Sequence, residues 1–261
     1  MIKITEDAII KHLGNNKYTF EIFDSIDSTN LYARNIISSD ANNKVIIANM
    51  QTNGRGRMGR FFYSPSDNGI YMSVILKVSK PYSELELFTI AIASITHMAI
   101  KKTAGINCGI KWVNDIFLGN KKICGILCES IHSTDKKNVE YIIAGIGINV
   151  YNDNVFPDDL KDIAGAINNK SIDRNEIIAE ILKEIDGLTT HFDLSSYLDY
   201  YKDNSIIINK YITFLKDNKE HRGKVIDINN KGNLIVITDS GEKLVLNSGE
   251  IRIDINNVKD Q

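Results

Sequence analysis

The chain is poor in the residues that cross-link and punctuate small proteins: three cysteines, three prolines and one tryptophan in 261 residues. Three is an odd number, and Cys108, Cys124 and Cys128 suggest neither a disulfide framework nor a metal site. Cys124 and Cys128 lie four apart in a strand-like run and so share one face, as small buried hydrophobes do. No long apolar run follows the early acids Glu6 and Asp7, and no membrane-length run is read elsewhere. Together these features are expected of a cytoplasmic protein. A basic surplus is missing too. The 31 Lys and Arg face 33 Asp and Glu, a net charge of −2, which argues against a generic nucleic-acid binder but leaves room for a local basic cleft. The five histidines (His12, His97, His132, His191, His221) show no metal-ligand spacing with one another or with cysteine. There is no Gly-x-Ser-x-Gly elbow, P-loop or kinase signature, so any use of ATP must run through another fold.

What is present is an ordinary globular composition, 43% hydrophobic and 25% charged, on a chain long enough for one large and one small domain. Residues 5–13 read as a short helix and Tyr18–Phe23 as a first strand. Asp27-Ser28-Thr29-Asn30 offers N-cap chemistry for a helix running to about Ile37. Val45–Asn49 is a buried-type strand, and 51–68 is an aperiodic loop of a length that is uncommon unless functional or disordered. Ile70–Val78 returns to strand. Tyr82-Ser83-Glu84-Leu85 is expected to open a long apolar helix with a serine cap, ending near Gly105. Strand-like runs at 109–113, 116–118, 122–131 and 139–150 are separated by polar turns, as in antiparallel hairpins, and helices follow at about 173–192 and 195–203. After Asn209 come five short strands (211–214, 223–228, 234–238, 242–246, 250–255) with tight turns, the pattern of a small all-β barrel. The fold class is α+β, with a mixed or antiparallel sheet in residues 1–208 and a small barrel in 209–261.

The strongest chemical feature is Gly54-Arg55-Gly56-Arg57-Met58-Gly59-Arg60. Alternating glycines let a backbone approach a ligand and free its N–H donors, while arginines supply forked donors for carboxylate and phosphate oxygens. That combination suits a substrate presenting both groups, as formation of an acyl-adenylate requires. A flexible RG-rich loop that binds RNA, or nothing, reads equally from the spacing. Lys111-Trp112-Val113-Asn114-Asp115 combines a lysine, an amide and a hard-cation carboxylate at a strand end, and also reads as an Asn-Asp turn. Lys122 enters an apolar strand, where it can stabilise developing charge or simply guard an edge. Gly145-Ile146-Gly147-Ile148-Asn149 fits no dinucleotide fingerprint, and its glycines mark a bulge or a close ligand approach.

In order, these segments resemble the biotin protein ligase family. Ser28-Thr29-Asn30 is similar to its biotin motif, and Gln51-Thr52 with Gly54-Arg55-Gly56-Arg57 to its signature loop. Lys111-Trp112-x-Asn114-Asp115, Lys122-x-x-Gly125-Ile126-Leu127-x-Glu129 and Gly145-x-Gly147-x-Asn149 match three further motifs. Gly232-x-Leu234 and Ser248-Gly249-Glu250-Ile251 resemble its C-terminal domain. Val113 stands where the family usually has proline, Met58 stands where it often has another arginine, and 163–167 match only loosely. The resemblance implies a class-II-synthetase-like catalytic domain (1–208) and an SH3-like C-terminal domain (209–261). It implies that biotin and ATP, with Mg2+, give biotinyl-5′-AMP, from which biotin passes to a lysine of a biotin carboxyl carrier protein. By motif position Ser28, Thr29, Asn30, Gln51, Arg55, Gly56, Arg57, Lys122 and Gly125 would hold biotin. Arg57, Arg60, Asn114, Asp115 and Asn149 would face ATP, with Asp115 on the metal. Lys122 and Arg57 would be catalytic, and Phe62 would close over the ligand. Fewer than thirty residues precede Ser28, too few for the DNA-binding winged helix of some members. The expectation is therefore a ligase that binds neither DNA nor membrane, with a homodimer left open. A lipoate ligase would carry an Arg-Arg-x-Ser-Gly-Gly-type loop, which is lacking. An RNA-binding module would need a basic, aromatic face, whereas the barrel segment carries Asp227, Asp239, Glu242, Glu250 and Asp254.

Overall fold

The computed structural model describes residues 2–14, 17–37, 41–151, 156–216, 219–249 and 251–253. The apolar strands assemble into a seven-stranded sheet in the order β1 (Thr19–Phe23), β2 (Lys44–Ala48), β3 (Gly69–Lys80), β7 (Val139–Asn149), β6 (Lys121–His132), β5 (Asp115–Leu118), β4 (Gly109–Lys111). Only β1 and β2 run parallel, so the sheet is mixed. Successive residues of a strand face opposite sides, and here the two sides have different fates. Val45, Ile47, Val74, Leu76, Ile142 and Ala144 face the main core, with the helices α1 (Glu6–Leu13), α3 (Phe88–Ala104), α4 (Arg174–His191) and α5 (Ser196–Asp203). On the other side Ile46, Ile75, Tyr141 and Ile143 meet Ala33 of α2 (Thr29–Asn35) in a smaller cluster.

That second cluster covers only part of its face. Further along, the register sets Ser73 beside Gly145, Tyr71 beside Gly147 and Gly147 beside Gly125. Beside Tyr71, the small Ser73 and three glycines stand in place of bulky side chains, and the sheet is left open as a floor.

The expected start of the long helix needs correction. Tyr82–Glu84 forms a separate 3-10 turn after Pro81, and α3 begins at Phe88 with Leu87 at its N-cap and no side-chain cap. The start is set by the buried apolar run from Phe88 rather than by Ser83. Its end is as expected, with Gly105 in the left-handed conformation at φ 64°. The reading that no segment reaches membrane length is also corrected. Tyr82–Ala104 has the length and hydropathy to cross a membrane, but 67% of its apolar window is buried within the protein.

A second sheet has the order β11 (Lys243–Leu246), β10 (Leu234–Thr238), β9 (Lys219–Ile228), β8 (Tyr211–Lys216), β12 (Ile251–Ile253), all antiparallel. The described residues leave β11 and β12 unjoined, so the expected barrel is an open sheet there; Glu250, Asp254 and Ile255 of the expected last strand lie outside the described residues. The β9–β10 turn seats this sheet on the first. Gly232 at φ 77° packs against Ile90 with no room for a side chain, and its carbonyl accepts a 2.9 Å hydrogen bond from the Trp112 indole.

Candidate active site

The open floor carries a cavity of about 770 Å3. It is walled by the start of α2, the arginine-rich loop, the β4–β5 turn, residues 156–164 and, from the second sheet, Gly249, Ile251 and Arg252. Every residue expected in the site lines it: Ser28, Thr29, Asn30, Gln51, Arg55, Gly56, Arg57, Arg60, Asn114, Asp115, Lys122, Gly125 and Asn149.

The loop is more ordered than its composition suggests. The Phe62 amide donates to the Gly54 carbonyl (2.9 Å) and Gly56 to Arg60 (2.7 Å), which makes a small hairpin tipped by a 3-10 turn at Arg57–Gly59. Met58 sits in that turn at φ 55°, in the left-handed region, with its side chain in solvent. Arg57 is half-buried and points inward, and Arg55 and Arg60 are exposed. Just beyond the hairpin, the Phe62 ring lies over the glycines of the floor. A Cβ on Gly147 would come within 2.6 Å of its Cε1, and one on Gly125 within 3.2 Å of its Cε2. The Gly-x-Gly segment therefore provides a flat platform rather than a phosphate-binding turn.

Opposite the loop, the β4–β5 turn presents two polar groups. Asn114 accepts from Arg57 at 3.1 Å and donates to the Ile126 carbonyl at 2.7 Å, so the arginine is tied to the neighbouring strand. Asp115 faces Lys122 with Oδ1 2.7 Å from Nζ. That oxygen is buried and makes no aligned hydrogen bond, so the contact is an ion pair without hydrogen-bond geometry. Asn149 donates to the Gly165 carbonyl at 3.0 Å, anchoring the 163–165 segment, which also bridges to Lys122. Tyr71 lines the cavity edge-on to Phe62, with burial holding its phenol well above the ordinary range. Burial likewise pushes the Cys128 thiol up to about 12 and that of Cys108 to about 11, so these sulfurs stay protonated at neutral pH and serve as packing.

At the other end, Ser28 caps α2 through the Leu31 amide (3.4 Å). Thr29 and Asn30 are buried, and so is Ser73 beneath them. The Thr29 amide donates to Gln51 Oε1 at 2.9 Å, and Gln51 Nε2 donates to Ser64 Oγ at 2.9 Å. Asn30 donates to the Leu127 carbonyl (3.2 Å) and to Glu129 (2.9 Å), which also accepts from Arg34 (2.9 Å). The sequence reading missed Ser73, Ser64 and Tyr71, and treated Glu129 only as a motif letter. Ser73 carried a signal: it is the one hydroxyl inside the apolar run Ile70–Leu76 apart from the tyrosine at its start.

The first sheet and the arginine loop match the Biotin/lipoate A/B protein ligase family over residues 22–149. Residues 207–253 match the Biotin protein ligase C terminal domain. The bifunctional ligase/repressor BirA of Bacillus subtilis is 34% identical over 232 residues, covering 85% of this chain and 70% of that protein. This chain belongs to the biotin protein ligase family. Other relatives agree: the biotin–[acetyl-CoA-carboxylase] ligase of Mycobacterium tuberculosis is 25% identical, covering 91% of this chain and 90% of that protein. Among solved structures, the biotin protein ligase of Aquifex aeolicus in complex with biotin and ATP superposes with a TM-score of 0.75 at 26% identity, covering 92% of this chain and 99% of that one. The mixed sheet followed by a small antiparallel one is thus the architecture of the family.

Proposed function

We propose that this biotin protein ligase joins biotin to ATP at the cavity over Gly125 and Gly147, and passes biotin from the adenylate to a lysine of a biotin carboxyl carrier protein. It is an ATP-dependent ligase with two half-reactions. A biotin carboxylate oxygen attacks the α-phosphorus and pyrophosphate leaves. The carrier amine then attacks the carbonyl of the mixed anhydride, AMP leaves, and the amine gives up a proton. The observation that carries this reading is the convergence of Arg57 and Lys122 on one cavity, each already held by a polar partner, Asn114 and Asp115.

Two oxyanions repel as they approach, and cations fixed in a partly dry pocket offset that cost more effectively than mobile water does. Arg57 is placed to bridge carboxylate and α-phosphate, with Arg55 and the Gly56 backbone on the carboxylate side and Arg60 toward the outer phosphates. Lys122 is the second catalytic cation. It can exchange Asp115 for a substrate oxygen without becoming an isolated buried charge. Asn114 and Asn149 face the nucleotide end. Ser28, Thr29, Asn30 and Gln51 wall the other end, where the fused-ring head group sits, with Gly125 beneath it. Phe62 is positioned to cover the ligand and exclude water from the anhydride.

Asp115 is the residue that would touch Mg2+, since its buried Oδ1 has no aligned hydrogen bond. Among the described residues no three His, Cys, Asp or Glu side chains cluster as a metal cage. One carboxylate suits Mg2+ that arrives on nucleotide phosphates and keeps its waters; it would supply charge neutralisation of the phosphates. The net charge of −2 favours a carrier protein over DNA as the macromolecular partner. We place carrier docking at a sheet edge such as β1, by strand addition, and the protein in the cytoplasm, where its free thiols stay reduced. The test is ATP–pyrophosphate exchange with biotin and, separately, with lipoate. Exchange with biotin is expected, and exchange with lipoate alone overturns the proposal.

A further inference from the structure

Tyr201 lies on the buried side of α5, fully enclosed, and its hydroxyl makes no hydrogen bond. An unpartnered buried hydroxyl costs stability, and few native folds keep one without a use. The helix that carries it is firmly held. Just past α5, the Asn204 carbonyl accepts from the Ile110 amide at 2.8 Å and the Ile206 amide donates to the Ile110 carbonyl at 3.0 Å, which staples the end of α5 to β4. The neighbouring Tyr200 hydroxyl lies 2.8 Å from His97 Nδ1, and His97 Nε2 is 2.9 Å from the Cys108 carbonyl just before β4. α5 is thus fixed against the strand that leads into the Asn114-Asp115 turn. Burial holds the Tyr201 phenol well above the ordinary range; the Asp115 carboxylate raises it further and the Arg57 guanidinium lowers it. The hydroxyl therefore stands behind the site within the fields of both groups, and it stays a donor at neutral pH.

Asp115 is its counterpart. Oδ1 of that carboxylate is buried, faces Lys122 Nζ at 2.7 Å and has no aligned hydrogen bond. The resting site thus holds a donor without an acceptor and, in the same region, an acceptor without an aligned donor. When Lys122 moves to a substrate oxygen, Asp115 loses its counterion, and a partly buried carboxylate left alone is costly. A phenol O–H donated to a carboxylate is a charge-assisted bond that needs no ionic partner. We propose that Tyr201 is a positioning residue for adenylate formation, its hydroxyl taking up the Asp115 carboxylate as Lys122 leaves it. The proton stays on the phenol. The ring is fixed by α5, so the carboxylate is the group that turns. A bond that forms only once Lys122 is on the substrate lowers the barrier without tightening either substrate in the ground state. This inference rests on the reading that Lys122 exchanges Asp115 for a substrate oxygen.

The test uses the full chain and measures Tm together with kcat and KM of biotin-dependent pyrophosphate exchange. Tyr201→Phe removes one oxygen and leaves the ring. Because that oxygen has no partner in the resting fold, Tm stays at or above the wild-type value. kcat falls about tenfold, the worth of roughly one hydrogen bond made only in the transition state, while KM for biotin and for ATP stay within about twofold. Ser205→Ala deletes a second buried hydroxyl without a partner, beside Ile110 of β4. It leaves kcat within about twofold of wild type, since it takes no bond from the transition state. In an Asp115→Asn background no carboxylate charge remains to be held, so adding Tyr201→Phe changes kcat by less than about twofold. A lowered Tm in Tyr201→Phe would make the hydroxyl a prop of the fold. An unchanged kcat, an equal fall in Ser205→Ala, or a further loss on top of Asp115→Asn would deny it a role at the carboxylate. Each of these overturns the inference. Absence of biotin-dependent exchange in the wild type overturns the biotin reading and this inference with it. Wild-type exchange with a fully active Tyr201→Phe overturns this inference alone.

Discussion

Two glycines two residues apart on β7 are expected to respond to the same substitution in opposite ways. A Cβ built on Gly145 overlaps the Asn30 carboxamide, which is buried and bonded to Leu127, Glu129 and Ser73. Nothing there can move away cheaply. Overpacking costs about 1–3 kcal/mol and leaving one buried polar group unsatisfied costs about 1–3 kcal/mol more. Gly145→Ala should therefore lose about 3 kcal/mol of stability, or roughly 6–12 °C in Tm for a chain of this size. At Gly147 the obstacle is the Phe62 ring, 2.6 Å from the added carbon. That ring is half-buried at the base of a surface hairpin and can swing outward. Gly147→Ala should stay within about 1 kcal/mol of wild-type stability. Its biotin-dependent exchange should still fall at least about tenfold, equivalent to about 1.4 kcal/mol, because the platform and its cover are both disturbed. Differential scanning calorimetry and pyrophosphate exchange on the two variants decide the matter. If Gly147→Ala is as destabilised as Gly145→Ala, or both retain full activity, the platform role assigned to these glycines is wrong.

Other perturbations have equally definite outcomes. Trp112→Phe removes the donor to the Gly232 carbonyl, so it should lower stability by about 1–3 kcal/mol, read as a reduced urea midpoint. Arg57→Gln should depress exchange by about 10²–10³-fold, as loss of a transition-state cation does, while biotin-independent thermal stability is little altered. Glu180, on α4, is desolvated, which raises its pKa, but hydrogen bonds from Lys102 and Lys183 outweigh this and hold it below the ordinary carboxylate range. The stability it contributes is present above the unfolded-state pKa and is lost as pH falls through the lowered folded value. Glu180→Gln should accordingly be less stable than wild type at pH 7, with the gap closing in acid; a gap independent of pH refutes the linkage.

Much of the fold was legible in the chain because its cues are local. Ser28 caps a helix, Gly105 ends one, and the apolar runs of β3, β6 and β7 give the central strands. The start of α3 was misplaced for a physical reason: Ser83 and its acids look like a cap, but burial from Phe88 onward decides where the helix can form. Site residues were findable as motif letters, whereas their partners were not. The tie of Arg57 to Asn114 joins segments distant in sequence, and the ion pair of Lys122 with Asp115, though within one hairpin, depends on the register shift between β5 and β6. No spacing rule encodes such pairings, and the contribution of Arg252 from the second sheet to the cavity wall was invisible for the same reason.

The central claim is that Arg57 and Lys122 bring a biotin carboxylate and an ATP α-phosphate together in one pocket. The most direct measurement is mass spectrometry of the protein after incubation with biotin and Mg-ATP and removal of free ligand. Retained biotinyl-5′-AMP is expected in the wild type, and far less of it in Lys122→Ala. A wild-type protein carrying no adenylate, or a Lys122→Ala variant carrying as much as wild type, would contradict the account.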